Sequence, residues 1–153
     1  MSEKMTTLTV VLSTDPDSIV TKRTVASCQA DGVRVIVRDP EKLPHAIEEA
    51  AEEFVHITRD GMVFLPAFYT AMLTALEHSG RDYALVHSFG VDGDETYVRK
   101  GDGALLPGQM VVRRWVLKER GVQSGGFDSF VRLIADEYQG IEVPHVLIVE
   151  SEK

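Results

Sequence analysis

The chain has 153 residues, which suits one domain with a sizeable core, and 44% hydrophobic and 26% charged residues are an ordinary globular composition. A net charge of −8 argues against a broad nucleic-acid-binding face, because neutralising phosphates takes clustered Lys and Arg. It does not exclude an anionic nucleotide, which needs only a few local donors.

Leu8–Ser13 (LTVVLS) is a β-rich apolar run, too short for a lone helix, and reads as a buried parallel strand. Thr14-Asp15-Pro16-Asp17-Ser18 supplies turn and N-cap residues, and a helix follows from about Ser18 to Gln29. Ile19, Val20, Thr24 and Ala26-Ser27 are its nearest approach to an apolar stripe. Val33–Val37 is the second strand, closed by Arg38-Asp39-Pro40. Leu43–Phe54 reads as a helix with Pro44 in its first turn and Leu43, Ile47, Ala50, Ala51 and Phe54 on one side. Phe54–Thr58 is the next strand, and Arg59-Asp60-Gly61 its turn.

Pro66–His78 is a strongly periodic helix, with Phe68, Met72, Leu73 and Leu76 on one side. Asp82–Phe89 is a strand, Asp92-Gly93-Asp94 a turn, Thr96–Arg99 a short strand and Leu105–Val112 an irregular one. Arg113–Arg120 is a short helix, and Phe127–Tyr138 a longer one closed by Gly140. Val143–Val149 is a final strand, where Pro144 suggests an edge position.

Alternation of strand and helix predicts an α/β fold with a mostly parallel sheet and right-handed crossovers. Ligands in such sheets bind beyond the carboxyl ends of the strands. Those ends are Ser13–Asp17, Arg38-Asp39 and Thr58–Gly61, three polar, partly acidic segments that converge on one edge.

Cys28 is the one cysteine, so no intrachain disulfide forms, and MSEKMTT carries no apolar signal core. No segment approaches the roughly 20 apolar residues that span a bilayer. The expectation is a single cytoplasmic domain over residues 1–153, with 1–7 as a flexible N-terminus.

The element order and five colinear strings over Leu8–Val149 resemble the Rossmann-like GT-A domain of family 2 glycosyltransferases. LTVVLST and its TVASCQ helix resemble that family's first strand and helix. VRVIVRDP resembles the second strand, FVHITRDGMVFLPAFYTAMLTAL the Asp-x-Asp strand and the helix after it. GQMVVRRWVLKERG resembles the acceptor-side segment, and FDSFVRLIADEYQGIEVPHVLIV the late helix and strand.

The resemblance implies a nucleotide-diphosphate sugar, of UDP or GDP type, transferred to an unknown acceptor. It assigns Asp39 to the nucleobase, Asp60 to a Mg or Mn cation on the diphosphate, and Asp128 to the general base. Thr14, Asp15, Arg59, Arg113 and Arg114 complete the expected nucleotide contacts.

Two departures stand out. The family's Asp-x-Asp is here Thr58-Arg59-Asp60, and Gly125-Gly126 replace its late acidic pair. The chain also lacks a strand and helix that the family places before Asp-x-Asp. The alternative is therefore a catalytically inactive nucleotide-binding, sugar-binding or interaction module with the same fold. The short length leaves little room for an acceptor domain, so a partner chain, or self-association through a sheet edge, would complete the site.

Several residues carry a second, purely structural reading. Asp39, Asp15 and Asp17 can cap helices, Asp60-Gly61 is an ordinary turn pair, and Asp128 suits a helix N-terminus. Arg113-Arg114 can be a solvated pair at a helix start. The five His residues show no metal-ligand spacing; His56 and His87 read as packed core residues, with His145 the outside alternative for a metal. Cys28 reads as a small buried hydrophobe.

Overall fold

The computed structural model describes residues 6–79, 83–99, 105–120, 134 and 137–151. Its strands are β1 (Thr7–Leu12), β2 (Val33–Arg38), β3 (Phe54–Arg59), β4 (Met62–Phe64), β5 (Leu85–Val91), β6 (Tyr97–Val98), β7 (Met110–Arg113) and β8 (Gly140–Glu150). Its helices are α1 (Ile19–Ser27), α2 (Leu43–Glu49), α3 (Phe68–Ser79) and α4 (Arg114–Arg120).

The strands form one sheet in the order β2-β1-β3-β7-β5-β8-β4, with β6 hydrogen-bonded to β5. β1 runs parallel to β2 and β3, and β5 parallel to β8. β7 is inserted antiparallel between β3 and β5, and β4 closes the far side antiparallel to β8. Five of the eight described strands run one way, so parallel strands predominate as the alternation of elements predicts, while β4, β6 and β7 run the other way.

Alternation along each strand divides the core into two layers. Leu8, Val10, Leu12, Val55, Ile57, Met110 and Val112 face α2 and α4. Val11, Phe54, Val86, Val111 and Ile148 face the layer of Phe64, Phe68, Tyr69, Met72 and Leu76. β1 is buried along its whole length, which is why it reads as a continuous apolar run.

Helix α1 starts where Ser18, in extended conformation, accepts a hydrogen bond from the Thr21 backbone N–H. The cap is therefore Ser18 and not Asp15 or Asp17. The buried face of α1 is also not the expected apolar stripe: Thr21 and Thr24 are buried, while Ile19 is 73% exposed. The Ser18-x-x-Thr21 spacing is the signal for this, because one hydroxyl caps the turn and the next faces the sheet.

Asp39 caps a 3₁₀ turn at Pro40–Lys42, and α2 runs on from it with Pro44 in its first turn. The expected helix through Phe54 is corrected: α2 ends at Glu49, where Ala50 turns extended at ψ 122°. Beyond it Glu52 is held by Arg34 in a two-point ion pair, Nε to Oε2 at 2.7 Å and Nη2 to Oε1 at 3.1 Å. The hydrogen bonds from that guanidinium hold the Glu52 carboxyl below its ordinary pKa. Propensity would let the helix continue, but the contact with Arg34 commits the chain to leave it.

Three more corrections concern strands. β4 is too short to show a period and was not expected. The irregular strand from Leu105 shortens to β7, and residues 105–109 form a turn instead. β8 is an interior strand between β5 and β4, not an edge. Pro144 is tolerated there because it falls in a bulge: Ser88 is level with Val143 and Phe89 with Val146, so Pro144 and His145 have no register partner. Of the helix expected over 127–138, only Ile134, Glu137 and Tyr138 are described, and Asp128 and Gly125-Gly126 lie outside the described residues.

Candidate functional site

The carboxyl ends of β2, β1 and β3 are adjacent, and backbone bonds carry the sheet past them. The Ser13 N–H donates to Arg38 O at 2.9 Å, and the Asp60 N–H to Leu12 O at 3.2 Å. Ser13 thus stands between Asp39 on one side and Asp60 on the other. Thr14 and Asp15 follow on an exposed turn, so these residues share one edge.

Thr21 fastens this edge to α1. Its hydroxyl, with one proton to share, lies 3.0 Å from Asp15 O and 3.3 Å from Asp60 Oδ2, meets Ser13 Oγ at 2.7 Å and accepts from Ser18 Oγ at 3.0 Å. One turn on, Thr24 Oγ1 accepts from the Gly61 N–H at 3.0 Å. The turn after β3 is therefore set against the first two turns of α1, with Gly61 in the left-handed region at φ 91°. Asp39 is exposed, and its carboxylate accepts from the Glu41 N–H at 3.0 Å.

Arg59 is exposed and level with Leu12 across the β1–β3 ladder; Arg38 is level with Leu12 on the other side. Residues in register on parallel strands point to the same face, so the two guanidinium groups flank Leu12 on the α2 side. Their Cα atoms are two strand spacings apart, about 10 Å. Arg38 is tied to Glu49 at 3.5 Å and to Val37 O at 2.9 Å.

Behind the edge lies a buried polar cluster that the sequence did not signal beyond a packed His56. His56 is fully buried; Nε2 meets Gly108 O at 2.8 Å and Nδ1 meets Tyr69 Oη at 2.9 Å. A carbonyl only accepts, so Nε2 carries the proton and Nδ1 accepts from the Tyr69 hydroxyl. Thr9 Oγ1, 2.8 Å from the same hydroxyl, completes the chain. Burial pushes the His56 pKa down to about 4, partly offset by the bond to Gly108, so the ring is neutral at pH 7. Burial likewise lifts the Cys28 thiol to about 11, which makes it a packing group and not a nucleophile.

This cluster holds the turn at 105–109, which crosses the carboxyl edge between β3 and β5. Gly108 sits at φ 84°, and a Cβ there would come within 2.6 Å of Thr58 Oγ1 and 2.7 Å of Phe64 Cζ. Gln109 is buried and ties the same turn to its neighbours, donating to Ser88 O at 2.7 Å and Val98 O at 2.8 Å while accepting from the Leu106 N–H at 2.7 Å. On the α2 face Val55, Ile57, Met110, Val112, Leu117 and Ile134 line an apolar pocket beside Gly108. That lining has no charged group to hold a phosphate.

Arg113 and Arg114 are not brought to this site. β7 is antiparallel, so its last residue, Arg113, lies opposite Phe54 at the start of β3. That is the amino edge of the sheet, five strand steps or about 17 Å from Arg59. Arg113 is buried there, donating to Tyr83 O at 2.9 Å and Leu76 O at 2.7 Å and pairing with Glu53 at 3.3 Å. Arg114 donates to Ala51 O. His145 is equally remote, in the middle of β8. His87 is buried as expected, 4.0 Å from Glu142, and Asp92-Gly93-Asp94 forms the expected turn between β5 and β6.

The divalent cation implied by the family resemblance does not fit the donors present. Thr58 occupies the first carboxylate position, is buried, and directs its hydroxyl to Arg59 O at 3.1 Å and Pro107 O at 3.3 Å. Asp60 is left as the carboxylate of that pair. Among the described residues no group of three His, Cys, Asp or Glu side chains is arranged to hold a metal.

Comparison with protein-family models gives no match, and neither does comparison with curated proteins. Solved structures do match. The protein A197 from STIV superposes with a TM-score of 0.61 at 12% identity, covering 92% of this chain and 82% of its own. The glucosyl-3-phosphoglycerate synthase of Mycobacterium tuberculosis, in complex with Mn2+, UDP-glucose and phosphoglyceric acid, has a TM-score of 0.61 at 14% identity, covering 97% and 73%. The inositol-1-phosphate CTP transferase of T. maritima has 0.56 at 11% identity, covering 98% and 90%.

At such identities the likeness is one of fold. The fold is α/β and GT-A-like, with a sheet in which parallel strands predominate and with flanking helices. Among the described residues no helix is long and apolar enough to cross a membrane.

Proposed function

We propose that this chain binds a nucleoside-diphosphate sugar, of UDP or GDP type, along the carboxyl edge of β2, β1 and β3, and transfers the sugar to an acceptor. The carrying observation is the convergence of Asp39, Ser13–Asp15 and Asp60 on one edge, with Asp60 fastened by Thr21 at 3.3 Å. Asp39 accepts a hydrogen bond from the base. Thr14, Asp15 and Arg59 contact the ribose and diphosphate. In the transfer an acceptor hydroxyl attacks the anomeric carbon, its proton passes to a carboxylate, and the bond from that carbon to the diphosphate oxygen breaks. Asp128 is the candidate for that carboxylate.

A second reading is a nucleotide- or sugar-binding module without turnover. The buried Thr58 in place of a carboxylate favours it.

Titration calorimetry with UDP, GDP and their glucose and mannose conjugates tests the binding claim. Wild-type protein should bind one of them, and Asp39→Ala should weaken it. The absence of heat with every nucleotide would remove the proposal. Release of free UDP or GDP in the presence of candidate acceptors, lost in Asp128→Asn, separates the first reading from the second.

A further inference from the structure

Resting on that nucleotide-binding reading, we infer that Arg59 takes the place of the divalent cation, so that the diphosphate is bound without metal. The inference concerns charge at one point of the edge. A diphosphate brought to the end of β3 requires positive charge there, and the residues that would hold a cation do not supply one. Thr58 is turned into the core and bonded to Arg59 O and Pro107 O. Asp60 already accepts from Thr21.

Arg59 has the opposite character. Arginines elsewhere in the fold are committed: Arg34 to Glu52, Arg38 to Glu49, Arg99 to Glu142, Arg113 to Glu53 and Arg114 to Ala51 O. Among the described arginine side chains, Arg59 alone is exposed with no ion pair or hydrogen bond, and it stands at the end of β3 on the nucleotide edge. A guanidinium offers five donors in a planar fork that matches phosphate oxygens.

The start of α1 adds a second positive feature. Thr21, in its first turn, touches Asp60, so the helix N-terminus adjoins the same turn. A helix N-terminus is equivalent to roughly +0.5 charge; it offsets the Asp60 carboxylate that Thr21 touches and leaves the Arg59 guanidinium, on the α2 face, as the positive group offered to a diphosphate. Neither contribution needs a second carboxylate, which is what the chain lacks at Thr58.

The test is calorimetric titration of the full chain with UDP and with GDP, once with EDTA and once with Mn2+. Wild-type affinity should agree within about twofold between the two conditions, since no ion enters the equilibrium. Arg59→Ala should weaken binding in EDTA by roughly 10- to 100-fold, the loss expected for charge-assisted hydrogen bonds. Arg59→Asp, which reverses the charge beside Asp60, should bind neither nucleotide in EDTA. Because the side chain is exposed, thermal melting should show both variants folded. Wild-type binding that disappears in EDTA, or an Arg59→Ala variant that binds as wild type, would overturn this inference and leave the nucleotide reading intact. No binding of either nucleotide in both conditions would overturn the two together.

Discussion

The Thr21 hydroxyl and the Asp60 carboxylate stand 3.3 Å apart, joining the first turn of α1 to the turn that follows β3. The two residues are 39 positions apart in sequence, and their contact gives the carboxyl edge a fixed shape. Thr21 is fully buried, so its hydroxyl has no solvent to fall back on.

Thr21→Val keeps the volume and removes the oxygen. It leaves the Ser13 hydroxyl with the Asp15 N–H but without Thr21, leaves the Asp15 carbonyl to the Ser18 N–H, and frees the Asp60 carboxylate. The expected loss is about 1–3 kcal/mol of unfolding free energy, read by urea denaturation. A variant as stable as wild type would show that these bonds are replaced by water.

His56 makes stability depend on pH in a defined direction. The folded chain keeps the ring neutral down to about pH 4, while the unfolded chain takes up the proton near the ordinary value of 6.5. Between these values the unfolded state binds more protons, so the contribution is full above pH 6.5 and declines as pH falls toward 4. The limiting slope is about 1.4 kcal/mol per pH unit. Urea melts from pH 7 to pH 4 should show this decline, and His56→Phe should flatten it while lowering stability at pH 7. An unchanged slope in that variant would assign the acid sensitivity elsewhere.

Arg113→Ala should act on the fold and not on the ligand. It takes the guanidinium donor from the Tyr83 carbonyl and one of two donors from the Leu76 carbonyl, which keeps the Ser79 hydroxyl at 2.8 Å, an expected loss of about 1–3 kcal/mol in all. Its nucleotide affinity, measured below its own melting transition, should equal wild type. A selective loss of affinity would return Arg113 to the site.

Much of the fold was legible in the chain. β1 and β3 are buried apolar runs, α3 has a clean helical period, and Ser18 and Asp39 stand where caps belong. What escaped depends on contacts distant in sequence. Nothing local ends α2 at Glu49; Arg34, eighteen residues before Glu52, draws the chain away. Pro144 pointed to an edge because a bulge is invisible until the strand has a partner.

The site was legible in the same measure. The three strand ends carry their polarity openly, so Asp39, Asp15 and Asp60 are expected on one edge, and the structure brings them together there. Arg113 and Arg114 lie at the amino edge, away from those carboxylates, because β7 runs antiparallel, which a sequence does not declare. The Thr9–Tyr69–His56–Gly108 chain was hidden because its members come from β1, α3, β3 and the turn before β7.

The central claim, that the nucleotide lies along the carboxyl edge of β2, β1 and β3, is tested most directly by amide chemical-shift mapping. In a 15N-labelled sample titrated with UDP and then GDP, the largest shifts should fall at Ser13–Thr21, Asp39 and Arg59–Gly61, with Arg113 and Arg114 unmoved. Shifts confined to the opposite edge, around Glu53, Arg113 and Arg114, or no shifts with either nucleotide, would contradict it.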